Sequence, residues 1–292
     1  MKVLLYGGDG WIGSQVRSLL IKAGHRVIKG QMRAEEQDNL EREIQFVNPS
    51  HVMSFIGRTH GTINNKVFTT IDYLEQPGMV KENVRDNLYS PMVLAILCKK
   101  YNIHFTYMGT GCIFEYDDQH SIENGFTEAS EPNFFGSGYS VVKGYTDRLM
   151  HLFNYAALNI RIRMPITSDF HSRNFITKIT NYEKVCSMPN SMTVLDELLP
   201  ILVDMAFKKV TGTINLTNPG TITHNEILEM YKEIVDPTFT WQNFTLEEQA
   251  QILAAGRSNN YLDTTRLESL YPNVMMIKDS VRITLTKMIQ NK

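Results

Sequence analysis

Residues 3–13, VLLYGGDGWIG, set four apolar residues directly before glycines at positions 7, 10 and 13. A short apolar strand that runs into a GxxGxxG turn and then into helix-compatible residues leaves the chain few architectures. Glycine permits the tight turn and lets the backbone approach a ligand closely. The helix that follows points its unpaired N–H groups at whatever anion lies there. The stretch predicts a dinucleotide pyrophosphate site built from Gly7, Gly10, Trp11, Ile12 and Gly13.

The rest of the first half has the alternation that such a turn requires. Strand-like apolar runs at 25–30, 51–57, 104–109 and 159–164 are separated by helix-like stretches from about 12, near 38–47, at 79–100 and at 137–154. This predicts an α/β fold: a doubly wound parallel sheet of about six strands in a Rossmann arrangement, with helices on both faces. After Pro165 the rhythm changes. Short strand candidates remain near 192–195 and 212–216, and capping boxes at Thr223–Glu226 and Thr245–Glu248 open two helices. The expected division is a dinucleotide-binding core over 1–164, with a strand near 212–216 returning to it, and a smaller lobe over 165–292.

Composition narrows the partners. A formal net charge of −2 over 292 residues gives no basic field for a phosphate backbone, which argues against nucleic acid. Three cysteines, Cys98, Cys112 and Cys186, form neither a disulfide framework nor a metal-binding spacing, so a reducing compartment and no metal are expected. No apolar run reaches transmembrane length, and the N-terminal run is too short for a signal peptide, which makes a cytoplasmic location the expectation.

The second strand ends Ile28-Lys29-Gly30 and is followed by Arg33, where NAD-binding units usually carry an acid for the ribose hydroxyl. A cation there suits a 2′-phosphate, so NADPH is the expected cofactor. Tyr139 and Lys143 form YxxxK, which places both on one helix face beside the crevice where the cofactor lies. An ammonium near a phenol stabilises the phenolate and brings an ordinary pKa near 10 toward the working range. Thr110, from the preceding strand, could bond the same substrate oxygen and complete a carbonyl-reducing site. Cys112 stands two residues on; in an extended strand its thiol would face the same pocket.

With those residues in place the chain resembles the extended short-chain dehydrogenase/reductase family. The stretches TGCIFEYD (110–117), RMPITSD (163–169), RNFITKITNYEKV (173–185), PNSMTVLDELLPI (189–201), NPGTITHNEILEMY (218–231), FTWQNFTLEEQA (239–250) and RSNN (257–260) are similar, more narrowly, to bifunctional nucleotide-rhamnose synthases, the epimerase-reductase domain of plant UDP-rhamnose synthases. The resemblance implies conversion of UDP-4-keto-6-deoxy-glucose to UDP-β-L-rhamnose, by inversion at C3 and C5 and then reduction of the C4 ketone with NADPH. It implies Cys112 as base and Lys178 as acid for the inversions, and Asn87 as a family residue that helps hold the catalytic helix region. Asn174, Asn190 and Arg257 become candidates for the UDP group. Gly57 and Thr59 lie where the family contacts cofactor or sugar, although Phe55-Ile56 replaces its usual Ala-Ala. It also implies a separate UDP-glucose 4,6-dehydratase, since the chain lacks that domain, and a possible homodimer. Two alternatives stay open: a reductase without epimerase activity, of the dTDP-4-dehydrorhamnose type, and a non-catalytic dinucleotide-binding regulatory subunit.

Overall fold

The computed structural model describes residues 1–290. Its strands are β1 (Lys2–Tyr6), β2 (Arg26–Lys29), β3 (His51–Ser54), a hairpin of β4 (Gly61–Ile63) and β5 (Lys66–Phe68), β6 (His104–Thr110), β7 (Ala157–Ile162), β8 (Pro165–Ile166), β9 (Lys184–Val185), β10 (Thr193–Val194), β11 (Gly212–Asn215) and β12 (Gln242–Asn243). The helices are α1 (Trp11–Lys22), α2 (Gln37–Val47), α3 (Val80–Val84), α4 (Ser90–Lys100), α5 (Gly138–Met150), α6 (Phe175–Ile179), α7 (Leu195–Phe207), α8 (His224–Ile234), α9 (Leu246–Ile252), α10 (Thr265–Leu270) and α11 (Ile277–Gln290).

Six strands form one parallel sheet in the order β11-β7-β6-β3-β1-β2. Successive side chains of β1 go to opposite faces, yet both sets are buried, as a sheet covered on two sides requires. Val3 and Leu5 join Met53, Met108 and Ile160 under α1 and α7; Leu4 and Tyr6 join Val52, Phe105 and Tyr107 under α2 and α4. The strand order reverses between β1 and β3, so their carboxyl ends flank the crevice where ligands of such sheets bind. The sheet thus has the expected six strands. Helix α7, at residues 195–207, packs its Leu and Val side chains into the cluster beneath α1.

The smaller lobe gathers α6, α8 and α11 around Ile176, Ile227, Val281 and Leu285. Both capping boxes are present, with Thr223 and Thr245 each accepting from the backbone three residues on. None of the described helices is long and apolar enough to cross a membrane.

One irregularity positions the site. Between α3 and α4 the chain makes a π turn, Arg85–Tyr89. Pro91 has no N–H to give the carbonyl of Asn87 four residues earlier. The hydroxyl of Thr146 on α5 donates to that carbonyl instead, at 2.7 Å. The helix defect is therefore a joint to α5.

Candidate active site

The glycine turn fits a dinucleotide. Gly7 has φ +72°, and a Cβ there would sit 2.7 Å from the Phe55 carbonyl carbon; a Cβ on Gly13 would come within 2.1 Å of the Gly7 oxygen. Only glycine holds β1, β3 and α1 this close. The N-cap of α1, Gly10, offers no side chain to its free N–H groups, and the first turn carries no acid. Such a helix end suits an anion. Trp11 Nε1 is a buried donor without a protein partner at the same place. The Trp11 ring stacks on His171 at 5.2 Å, which brings the loop before α6 over the turn. Arg33 is exposed past the end of β2 and pairs with Glu35 at 2.6 Å.

Asn87 is 1% exposed, and its side chain is taken up inside the protein. Its Oδ1 accepts from the Arg58 N–H and its Nδ2 donates to the Arg58 carbonyl, both at 2.9 Å, clamping the loop that carries Gly57 and Thr59. With Thr146 on its carbonyl, Asn87 ties that loop to α5.

Ser137 caps α5, and its neighbour Ser140 donates to the Cys112 carbonyl at 2.7 Å. The Gly138 N–H donates to Glu75 at 2.7 Å. These bonds seat Tyr139 against the end of β6. Strand β6 stops at Thr110, and Gly111 to Ile113 turn, so Cys112 is not carried round by strand alternation as the sequence suggested. The Thr110 hydroxyl, a good turn former, accepts from the Cys112 N–H at 3.0 Å and pulls the thiol back toward the pocket.

Thr110, Cys112, Tyr139 and Lys143 thus share one site. Burial pushes the Tyr139 phenol up, the nearby Cys112 adds to this, and a hydrogen bond with Thr110 opposes it. Burial also lowers the Lys143 amine to about 7, against the pull of Asp147 and Cys112. The expected partnership of Lys143 with Tyr139 is not what the side chains display. Lys143 donates to the hydroxyl of Tyr107, a strand β6 residue. Burial disfavours the charged form of Tyr139 and of Lys143.

Lys178 lies on α6 in a second cluster. Burial lowers its pKa, helped by the Arg173 and Arg257 cations. Arg173 contacts His60 from the loop after β3. Arg257 pairs with Asp72 at 2.5 Å, and the Gly256 N–H reaches the Gly136 carbonyl at 2.8 Å, just ahead of α5. The short helical turn Ile71–Glu75 therefore touches both clusters, through Asp72 and Glu75. Two expected substrate residues are spent inside the protein. Asn174, 0% exposed, caps α6 and bonds the carbonyls of Thr167 and Asp169; Asn190, also 0% exposed, accepts from Arg163 at 2.7 Å.

Sequence reasoning missed Tyr107, Ser140, Glu75, Asp72 and Arg173. Arg173, beside Asn174 in RNFITKI, and Ser140, beside Tyr139, stood next to residues already singled out. The others are recruited by contacts between distant segments.

The sheet, the glycine turn and the Thr–Tyr–Lys set define a short-chain dehydrogenase/reductase. Within that class the chain belongs to the bifunctional 3,5-epimerase/4-reductases of nucleotide-rhamnose synthesis. Residues 1–144 match the family described as RmlD substrate binding domain. The chain is 54% identical to the L780 UDP-rhamnose synthase of Acanthamoeba polyphaga mimivirus, covering 98% of this chain and 99% of that one, with a TM-score of 0.95. It is 44% identical to a bifunctional dTDP-4-dehydrorhamnose 3,5-epimerase/dTDP-4-dehydrorhamnose reductase of Arabidopsis thaliana, over 95% of this chain and 90% of the relative. A trifunctional UDP-glucose 4,6-dehydratase/UDP-4-keto-6-deoxy-D-glucose 3,5-epimerase/UDP-4-keto-L-rhamnose-reductase of the same plant is 43% identical over 96% of this chain, which spans 41% of that protein.

Proposed function

We propose that the protein converts UDP-4-keto-6-deoxy-glucose into UDP-β-L-rhamnose, by 3,5-epimerisation and then NADPH-dependent reduction of the 4-ketone. The observation that carries this reading is the thiol of Cys112 lying within electrostatic reach of both Tyr139 and Lys143. A reductase alone has no use for a base beside its proton donor.

Hydrogens next to the C4 ketone are acidic enough for a positioned base. Cys112 removes one from C3 or C5, and Lys178 returns a proton to the opposite face. With its ammonium destabilised by burial and by Arg173 and Arg257, Lys178 gives up a proton readily. In the reduction Tyr139 donates a proton to the C4 oxygen while Thr110 hydrogen-bonds it. Gly7, Gly10, Trp11, Ile12, Gly13, Arg33, Gly57 and Lys143 would hold NADPH, which supplies the hydride. Arg173 and Arg257 offer the positive field that a diphosphate needs, while Asn174 and Asn190 shape the site from within.

Three unpaired cysteines suit a reducing, cytoplasmic setting. UDP-4-keto-6-deoxy-glucose is what a 4,6-dehydratase makes from UDP-glucose, so an activity of that class would supply the substrate. Exposed Ile96 on α4, with Tyr145 and Leu149 on α5, suits a homodimer through these helices.

Two experiments test the reading. Incubation with UDP-4-keto-6-deoxy-glucose and NADPH, followed by NMR of the product, should give a rhamnose sugar without any added epimerase; no turnover until an epimerase is supplied would leave only a reductase. Lys143 sets a pH dependence. Its ammonium is present below about 7 and is lost as pH rises through that value. The rate of ketone reduction should fall across that window, and this limb should vanish in Lys143→Arg, whose guanidinium keeps its charge.

A further inference from the structure

Strand β7 and the residue after it carry two buried arginines with opposite circumstances. Arg161, 0% exposed, is matched by the carboxylate of Asp147 through bonds of 2.9 and 2.7 Å. Arg163, 1% exposed, has no carboxylate partner among the described residues. Its Nη1 donates to the Gly111 carbonyl at 3.2 Å and to Ser258 Oγ at 3.0 Å. Its Nη2 donates to Asn190 Oδ1 at 2.7 Å and to the Ser258 carbonyl at 2.9 Å. All these acceptors are neutral, and Nε, buried as well, has no acceptor at all. Leaving a buried cation without a counter-charge is unfavourable, so an unmatched one calls for an anion.

The candidate anion is adjacent. A Cβ on Gly111 would meet Arg163 Cγ at 3.0 Å and Cδ at 3.1 Å, so the arginine stem runs directly beneath the residue before Cys112. Nε is bonded to that Cδ. The Cys112 sulfur lies close enough to act electrostatically on the same guanidinium.

We propose that Arg163 is the fixed counter-ion of the Cys112 sulfur, a positioning residue that aims the sulfur at the sugar and balances its negative charge when it acts as base. The inference rests on the epimerase reading above. The thiol proton leaves to solvent, the guanidinium keeps its own, and the pair becomes neutral. Asn190, Ser258 and Asn260 then have a shared purpose. Asn190 and Ser258 hold Arg163, while Asn260 donates to the Gly111 carbonyl at 3.0 Å and to Ser258 Oγ at 3.0 Å. Other charged or titratable groups face this pair: Tyr139 and Lys143 from α5 face the thiol, while Tyr116 and, from the start of α8, His224 face the guanidinium.

The test is the pH profile of Cys112 alkylation by iodoacetamide, located by peptide mass mapping and read in the wild type, Arg163→Met and Arg163→Lys. Arg163→Met should move the midpoint up by about one pH unit, tenfold in thiolate population, with Arg163→Lys between it and the wild type. Coincident profiles in folded Arg163→Met would overturn the assignment. A second measurement leaves Arg163 in place. Its Nε–H resonance should titrate with pH in the wild type and lose that step in Cys112→Ser; the same titration in both proteins would equally overturn it. Neither readout needs the sugar. Failure of the epimerase reading would instead appear as unchanged exchange at C3 and C5 in Cys112→Ser.

Discussion

Cys112→Ser should abolish entry of solvent deuterium at C3 and C5 of the keto sugar, slowing exchange by about two to four orders of magnitude. A hydroxyl at that position is too weak an acid to be populated as an anion near neutral pH, so it cannot take over as the base. NADPH binding should persist, because the glycine turn lies on β1 and α1 and shares no hydrogen bond with the Cys112 turn. So should reduction of a ketone that has already been inverted. NMR of the sugar in deuterium oxide reads both outcomes at once, and undiminished exchange would remove the thiol from the mechanism.

Tyr139→Phe should separate the two activities in the other direction. Loss of the phenol removes the proton donor for the C4 oxygen, and reduction should slow by about two to four orders of magnitude. Exchange at C3 and C5 should survive, so the inverted keto sugar accumulates. The fold should tolerate the change, since the helix is held by Ser137, Ser140 and the Glu75 contact to Gly138, none of which uses the phenol. Equal loss of exchange and reduction would mean that Tyr139 serves the inversions too. Taken together, the two variants assign the sulfur and the phenol to separate chemical steps in one pocket.

Much of this could be read without coordinates wherever a signal is local. The strands at 3–7, 51–57 and 104–109 announce themselves because a parallel sheet buried on both faces needs uninterrupted apolar runs. The capping boxes at Thr223 and Thr245 are complete within four residues. Gly7 and Gly13 declare the turn because no other residue fits the backbone there. YxxxK placed Tyr139 and Lys143 on one helix face, which helical geometry alone guarantees.

What the tertiary structure decided is which partner each side chain takes. Alternation along a strand would have aimed Cys112, but β6 ends two residues earlier and a hydroxyl-held turn does it instead. Lys143 was expected beside the phenol of Tyr139 and bonds Tyr107. Asn174 and Asn190 looked like ligand contacts and proved to be buried and committed to the chain. Arg163 meets Ser258 across 95 residues of sequence. Backbone conformation answers to neighbours within a few positions, so the sequence determined the sheet, the glycine turn and the helix face by itself. Charge pairing and desolvation depend on segments that only folding brings into contact, which is why the environment of the thiol had to come from the structure.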